Sequence, residues 1–155
     1  MTGSGEAVIE MASASGLWLV PDTDRDPMHT TTFGVGELLL AAEAAGVPRV
    51  LLGIGGSATV DAGLGCCQAV GHTVLRNDGE PVHPTEPLFG RDLADVYAIK
   101  RGRGSKLDRL PITVACDVTS PLFGPGGAAR VYGPQKGASP EAVEWFDREH
   151  RALAR

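Results

Sequence analysis

The most constraining feature of this sequence is a glycine-rich segment that directly follows a short apolar run. Residues 50–52 are continuously apolar, and the segment GIGGSATVDAGLG then occupies residues 53–65. Glycine has no Cβ, so such a loop can adopt positive φ angles and let several N–H groups converge on an anion. The alternative is a tight strand-to-helix turn in which Ser57 or Thr59 caps the helix. The segment therefore predicts either a phosphate-binding wall or a structural turn.

The loop matches neither of the two common nucleotide-binding signatures. No Lys-Ser or Lys-Thr pair follows it at the Walker A spacing, and residues 53–58 lack the third glycine of GxGxxG. A dinucleotide-binding oxidoreductase stays open as an alternative. Glu80 has roughly the spacing of a ribose-binding carboxylate, although it lies between a turn and Pro81.

Composition limits the class of partner. The chain has 155 residues, the usual size of one domain, and 43% of them are hydrophobic. The formal net charge of -5 argues against nucleic acid as a partner, because phosphate backbones require dense positive charge. The basic run at residues 100–106 is interpreted as a solvent-exposed loop.

The sequence also predicts a cytoplasmic protein without a membrane partner. The N-terminal residues lack the pattern of a signal peptide, and no apolar run approaches the ~18 residues that span a bilayer. The odd number of cysteines, without a CxxC pair, favours neither disulfides nor zinc. Apolar surroundings predict that all three are core residues in a reducing compartment; they are Cys66, Cys67 and Cys116.

Alternating strand and helix patterns indicate an α/β class. The predicted strands cover residues 7–12, 49–54, 96–99 and 112–116, and the predicted helices cover 34–45, 61–70 and the segment after Ser139. The continuous apolar run at 49–54 is typical of a parallel strand that is buried on both faces. Ser139, Pro140 and Glu141 are the N-cap, N1 and first-turn residue types of the last helix.

Three further groups could carry chemistry. Asp117 follows strand 112–116, at the strand end where α/β proteins bind ligands, and a turn or cap role is the alternative. Lys136 lies in the segment GPQKG and could reach a phosphate as a point charge, or else be an exposed loop lysine. Glu10, close to Ser13 and Ser15, requires a partner such as Arg25 if it is buried.

Five segments together resemble the type I glycerate kinases. They occur in the order of the family's signatures and extend over nearly the whole chain. The segments are IEMASASGL (9–17), RDPMHTTTFGVGEL (25–38), GIGGSATVDAGLG (53–65), ACDVTSPLFGPGGAA (115–129) and YGPQKGAS (132–139).

The resemblance implies a kinase that phosphorylates D-glycerate with Mg²⁺ and ATP, in bacteria typically on the 2-hydroxyl. It also implies a fold of two α/β domains, one Rossmann-like and formed from both chain ends, the other inserted centrally. This chain resembles mainly the central part. We therefore expect residues 1–155 to form a single α/β domain, with a mixed sheet and flanking helices.

The resemblance also assigns roles to residues at the matching positions. Catalytic roles fall on Asp61, Asp117 and Lys136, and Asp117 is expected to hold Mg²⁺ or the glycerate hydroxyl. Asp61 and Asp117 compete for the role of general base, with His29 as a third candidate. Substrate or nucleotide binding falls on Gly55, Gly56, Ser57, Thr59, Gln135, Glu10, Ser13, Ser15 and Thr31.

The chain departs from the family pattern in two respects. Val60 stands where asparagine is common and Ala62 where glycine is common. Family members are also longer, with a Pro-Asp-Ser-Phe-Lys-Gly-like segment near the start and further glycine-rich motifs after GPQKGA. The chain is therefore expected to be a fragment, and its alternative function is that of a non-catalytic remnant or ligand-binding domain. Its expected partners are small molecules and either a complementary chain or a second copy.

Overall fold

The computed structural model describes residues 5–102 and 106–155, so part of the basic run at 100–106 lies outside the described residues. The strands are β1 (Ala7–Glu10), β2 (Val50–Gly53), β3 (Thr73–Arg76), β4 (Val96–Lys100) and β5 (Ile112–Ala115). The helices are α1 (Ala12–Ser15), α2 (Phe33–Ala44), α3 (Leu64–Ala69), α4 (Ala128–Tyr132) and α5 (Pro140–Leu153). These elements confirm the predicted α/β class.

The strands form two sheets. The first is fully parallel, with the order β1-β2-β5, and Val8, Leu51 and Thr113 lie side by side in its register. The second is an antiparallel pair of β3 and β4. Parallel and antiparallel pairing are therefore divided between two sheets instead of being combined in one. The sequence did not predict β3, a four-residue strand that pairs with β4.

Two apolar clusters hold these layers together. One cluster packs α2 against the parallel sheet through Val35, Leu39, Val50 and Leu52, all at most 8% exposed. The other joins the glycine-rich segment to the antiparallel pair and to α5. Its buried members are Val60, Leu64, Val74, Val82, Leu88, Leu93, Ala129 and Phe146.

Only one face of the parallel sheet is covered by the described residues. Val50 and Leu52 point toward α2, whereas Leu51 is 41% exposed and its neighbour Val8 is 54% exposed. The expectation that strand 49–54 is buried on both faces is therefore wrong. An apolar run shows that a strand belongs to a parallel sheet, but not how many of its faces are covered.

Helices α2 and α3 approach each other where both begin. A Cβ on Gly65 would lie 2.2 Å from the Thr31 Oγ1 and 2.7 Å from the Phe33 backbone nitrogen. Only glycine fits at this position. The close approach places Asp61, just before α3, beside the first turn of α2.

No helix in the part of the chain that the structure describes is long and apolar enough to cross a membrane. Cys66 and Cys67 are partly buried, and burial raises the pKa of the Cys66 thiol to about 12. Cys116 is exposed, so the prediction that it is a core residue is wrong. It follows β5, which is exposed at each of its four residues.

Candidate active site

A cavity of about 600 Å³ opens at the carboxyl ends of the three parallel strands. It is lined by Met11 after β1, by residues of the glycine-rich segment after β2, and by residues 116–118 after β5. Parallel sheets in α/β proteins bind their ligands at this end. The segments around GPQKG and α5 complete the wall through Tyr132, Gln135, Lys136 and His150.

Lys136 places a cationic side chain in this cavity. Its Nζ lies 2.7 Å from the Ser57 Oγ and 2.7 Å from the Thr59 carbonyl oxygen. The short 3-10 turn Pro134–Lys136 places it there, and Gly137 ends the turn with φ +91°. A Cβ on Gly137 would lie 2.0 Å from the Arg25 carbonyl oxygen, so the turn can only close on a glycine.

Burial changes the acidity of Lys136. Desolvation lowers the pKa of its ammonium group to about 8, and the nearby Asp61 carboxylate opposes the shift only in part. The group is therefore mostly charged at neutral pH and loses its charge as the pH rises through about 8. The alternative of an exposed loop lysine does not hold, because this side chain is largely enclosed by the glycine-rich segment.

The glycine-rich segment presents unpaired backbone donors. The N–H groups of Gly55 and Gly56 have no acceptor among the described residues, and both residues line the cavity. Gly56 has φ +70°, which only glycine adopts without strain. These donors and the adjacent Lys136 make this wall attractive to an anion.

Asp61 is saturated with hydrogen bonds. Its carboxylate is 1% exposed, and Oδ2 accepts from the Thr32 N–H (2.9 Å), the Thr32 hydroxyl (2.7 Å) and the Gly65 N–H (3.2 Å). Oδ1 accepts from the Gly63 N–H at 3.2 Å. Although Asp61 lines the cavity, this geometry favours a structural role over the role of general base that the sequence suggested.

Asp117 has the opposite environment. It follows β5, is exposed, lines the cavity, and its carboxylate has no hydrogen-bond or ion-pair partner within residues 5–102 and 106–155. Gln135 is also exposed at the cavity wall. Of the two predicted acidic catalytic residues, Asp117 is therefore the one that is available to a ligand.

The structure does not bring four of the predicted binding residues to the cavity lining. Glu10 is exposed on β1, and Ser13 is exposed on α1. Ser15 is buried and donates to the Thr31 carbonyl oxygen at 2.9 Å, while the Thr31 hydroxyl accepts from the Phe33 N–H at 3.1 Å. Ser15 and Thr31 thus stabilise the loop that leads into α2.

Three other sequence hypotheses also find no support in the geometry. Arg25 pairs with Asp22 at 2.6 Å instead of with Glu10. His29, the third candidate base, contacts Asp26 at 2.8 Å and lies outside the cavity lining. Glu80, on which the dinucleotide alternative depended, is an exposed turn residue that does not line the cavity.

His150 is a cavity residue that sequence reasoning missed. It is 2% exposed, and its Nε2 donates to the Val60 carbonyl oxygen at 3.0 Å. It thereby ties α5 to the glycine-rich segment. The sequence placed His150 on the apolar face of its helix with Val143 and Phe146, which signals burial, but nothing local signals a contact 90 residues away.

Ala62 is strained, and we expect its replacement by glycine to stabilise the fold. Its φ of +52° lies in the left-handed region, at a position where glycine is common in the family. That conformation costs alanine about 1–2 kcal/mol, and the greater freedom of glycine in the unfolded chain offsets part of the gain. Ala62→Gly should therefore raise the free energy of unfolding by about 0.5–1 kcal/mol, measured by urea denaturation.

The matched control is Ala41→Gly, at an exposed position within α2. There glycine should lower the free energy of unfolding by about 0.5–1 kcal/mol. Equal destabilisation by both substitutions would contradict the strain at Ala62.

The chain matches the model of the glycerate kinase family over residues 1–155. The chain belongs to the glycerate kinase family. The resemblance of the five ordered motifs is thus confirmed.

Individual relatives agree with this assignment. The chain is 48% identical over 149 residues to a glycerate kinase of Bacillus subtilis strain 168. It is 44% identical over 149 residues to the glycerate 2-kinase of Escherichia coli strain K12. Each alignment covers 95% of this chain and 38% of the relative.

A solved structure gives the same result for the fold. The crystal structure of a protein designated glycerate kinase 2, from Salmonella typhimurium LT2, superposes with a TM-score of 0.89 at 44% identity. The match covers 98% of this chain and 40% of that chain. This member of the glycerate kinase family therefore spans about two fifths of the length of these relatives.

Proposed function

We propose that this chain forms part of an enzyme that transfers the γ-phosphoryl group of ATP to D-glycerate and gives 2-phosphoglycerate. The observation that carries the proposal is the Lys136 ammonium group, which Ser57 and Thr59 hold beside free backbone donors in the cavity. Membership of the glycerate kinase family supports glycerate as the acceptor. A glycerate 2-kinase among the relatives supports the 2-hydroxyl.

The arrangement suits phosphoryl transfer because that reaction depends mainly on positioning and on neutralising negative charge. Lys136 would contribute a positive charge to the transferring oxygens at neutral pH. The N–H groups of Gly55 and Gly56 would donate to the same oxygens without having to reorganise. Gln135, exposed at the wall beside Lys136, would donate its amide to the acceptor or to a phosphate oxygen.

The residues present also fit a magnesium ion. Asp117 offers a carboxylate without a protein partner, and the described residues contain no group of three or more His, Cys, Asp or Glu side chains that could hold a metal alone. Mg²⁺ is usually bound by one or two carboxylates together with substrate phosphates, so Asp117 would hold it. When bound, Mg²⁺ neutralises charge on the phosphate oxygens. The need for ATP favours the cytoplasm as the site of the reaction.

The test of this function is ADP formation by the purified chain with ATP, Mg²⁺ and D-glycerate. We expect turnover that depends on all three, with ³¹P NMR identifying 2-phosphoglycerate as the product. D-lactate has the 2-hydroxyl in the same configuration but not the 3-hydroxyl, and D-glyceraldehyde lacks the carboxylate, so these two compounds serve as matched acceptors. Turnover of other hydroxy acids or sugars, but not of glycerate, would contradict the proposed substrate.

A second candidate is ligand binding without turnover. It is favoured by the length of the chain, which spans 38% of the relatives named above. Binding of ATP or D-glycerate by calorimetry, together with no ADP formation, would support it. Addition of a complementary segment or chain that restored turnover would show that the catalytic set is shared.

Asp117→Asn tests the metal assignment. The substitution keeps the shape of the side chain but removes its charge, so we expect kcat/KM to fall about 100-fold and the Mg²⁺ concentration for half-maximal activity to rise. Because Asp117 has no partner in the described residues, the free energy of unfolding should change by no more than about 0.5 kcal/mol. An unchanged Mg²⁺ dependence would exclude Asp117 as the ligand.

A further inference from the structure

Ser57 and Lys136 form a pair whose geometry also suits a reaction other than phosphoryl transfer. The Ser57 side chain is partly exposed at the cavity, and its Oγ lies 2.7 Å from the Lys136 Nζ. A serine hydroxyl within hydrogen-bond distance of an amine, with the amine held by a third group, is the arrangement of an activated nucleophile. Here the third group is the Thr59 carbonyl oxygen, also 2.7 Å from Nζ.

The hydrogen-bond directions allow Lys136 to act as a base. The Thr59 carbonyl can only accept, so one N–H of Lys136 always points to it. The Ser57 hydroxyl can either accept or donate. The same contact therefore serves the ammonium form, which donates to Oγ, and the neutral amine, whose lone pair accepts the hydroxyl proton.

The cavity also supplies donors for a developing oxyanion. The N–H groups of Gly55 and Gly56 have no acceptor among the described residues. They belong to the two residues that precede the nucleophile. Unpaired backbone donors beside a nucleophilic serine stabilise the negative charge of a tetrahedral intermediate.

We propose that Ser57 and Lys136 are a nucleophilic dyad that takes the acyl group of small carboxylic esters. In the first step a bond forms between Oγ of Ser57 and the acyl carbon, and the hydroxyl proton moves to the neutral Nζ of Lys136. The tetrahedral intermediate then expels the alcohol, which takes the proton from Lys136, and acyl-Ser57 remains. Water then attacks the acyl carbon and gives a proton to Nζ of Lys136. That proton passes to Oγ of Ser57 as the carboxylic acid leaves, which restores free Ser57. This activity uses neither ATP nor glycerate, so it does not rest on the proposed function.

The acidity of Lys136 agrees with the geometry. Burial lowers its pKa to about 8, so the neutral amine is available at mildly basic pH, and the Asp61 carboxylate acts in the opposite direction. Arg25 packs on the same turn through its backbone against Gly137. The titratable groups that share the cavity with Lys136 are Asp61, Cys116, Asp117, Tyr132 and His150.

The experiment uses p-nitrophenyl acetate on the purified chain. We expect a burst of about one equivalent of p-nitrophenolate per chain, and peptide mass spectrometry should find the acetyl group on Ser57. The burst rate should follow the fraction of neutral amine, with a midpoint near pH 8. If no base assisted the serine, the burst rate would instead keep increasing with pH and would not reach a plateau.

Variants separate the roles. Ser57→Ala should remove the burst. Lys136→Met and Lys136→Arg should each slow it about 100-fold or more at pH 8.5, because a guanidinium stays protonated there. Ser120→Ala is the matched control, since Ser120 lines the same cavity but contacts the Tyr132 hydroxyl at 3.4 Å instead of a lysine; its burst should be unchanged. Circular dichroism melts verify that each variant is folded.

The residue that carries the acetyl group on the unmodified chain tests whether Ser57 is the nucleophile, without any variant. Acetyl-Ser57 supports the dyad. Acetylation of Lys136 itself, of Cys116 or of surface lysines alone would overturn it, as would a burst rate that is unchanged in Lys136→Met. A chain that shows the burst but forms no ADP, either alone or with a complementary segment, would retain the dyad and lose the kinase proposal.

Discussion

Replacing Asp61 with alanine is expected to lower the free energy of unfolding by about 3–5 kcal/mol. The carboxylate accepts from three backbone N–H groups and one hydroxyl, on Thr32, Gly63 and Gly65. A buried donor that loses its acceptor costs about 1–3 kcal/mol, and water entering the vacated space would recover part of the sum. Urea denaturation measures the loss.

Asp117→Ala is the matched control for this substitution. It removes a carboxylate from the same cavity, but one that is exposed and unpartnered in the described part of the chain. It should change the free energy of unfolding by about 0.5 kcal/mol or less. If Asp61→Ala instead changed stability by less than about 1 kcal/mol and abolished turnover, Asp61 would be a catalytic group after all.

Replacing Lys136 with methionine is expected to lower kcat/KM for glycerate phosphorylation about 100- to 1,000-fold. Methionine retains most of the aliphatic volume but removes the cation that would neutralise the transferring phosphoryl group. Losing the hydrogen bonds to Ser57 and Thr59 destabilises the fold, whereas removing a buried charge stabilises it. Because the two effects oppose each other, the fold should persist. Steady-state kinetics with an ADP-coupled assay measure the effect.

The pH dependence gives an independent measure of the same residue. The pKa of Lys136 lies near 8, so the unmodified chain should lose activity as pH rises through that value and the charge disappears. Lys136→Arg should lose this alkaline limb, because the guanidinium stays charged. Lys100→Met, at an exposed position on β4, is the control and should change activity less than about twofold. An unchanged rate in Lys136→Met would remove the central observation behind the proposed function.

The elements that were predicted well depend on local signals. Helix α5 begins at Pro140, and the Ser139 hydroxyl accepts from the Ala142 N–H at 3.2 Å, as its capping sequence indicates. The parallel strands follow from their apolar runs. The sequence left open whether Lys136 is an exposed loop residue, and the turn between Gly133 and Gly137 explains why its side chain lies in the cavity instead.

The elements that were predicted poorly depend on contacts between distant residues. The predicted helix 61–70 begins only at Leu64, because Ala62 and Gly63 both have positive φ and the Asp61 side chain accepts from the N–H groups that follow. The same carboxylate resembles a general base in the sequence, since nothing near it in the chain identifies its partner 29 residues earlier.

Two residues of the first motif also show that a motif does not predict where a side chain lies. Glu10 and Ser13 belong to a segment that resembles the family, yet neither lines the cavity in this structure. A motif identifies the family, whereas the orientation of each side chain depends on the strand register and on which face is covered. His150 is the reverse case, a cavity residue on a helix face that only indicated burial.

The half-covered parallel sheet also sets how much mutation each of its positions tolerates. Val8 and Ile9 are adjacent on β1, yet Val8 is 54% exposed and Ile9 only 8%. A polar residue at position 8 should cost less than about 0.5 kcal/mol, whereas one at position 9 should cost about 2 kcal/mol or more. In a library selected for folded protein, neighbouring positions of one strand should therefore retain very different ranges of amino acids, with the pattern alternating again at Leu51 and Leu52.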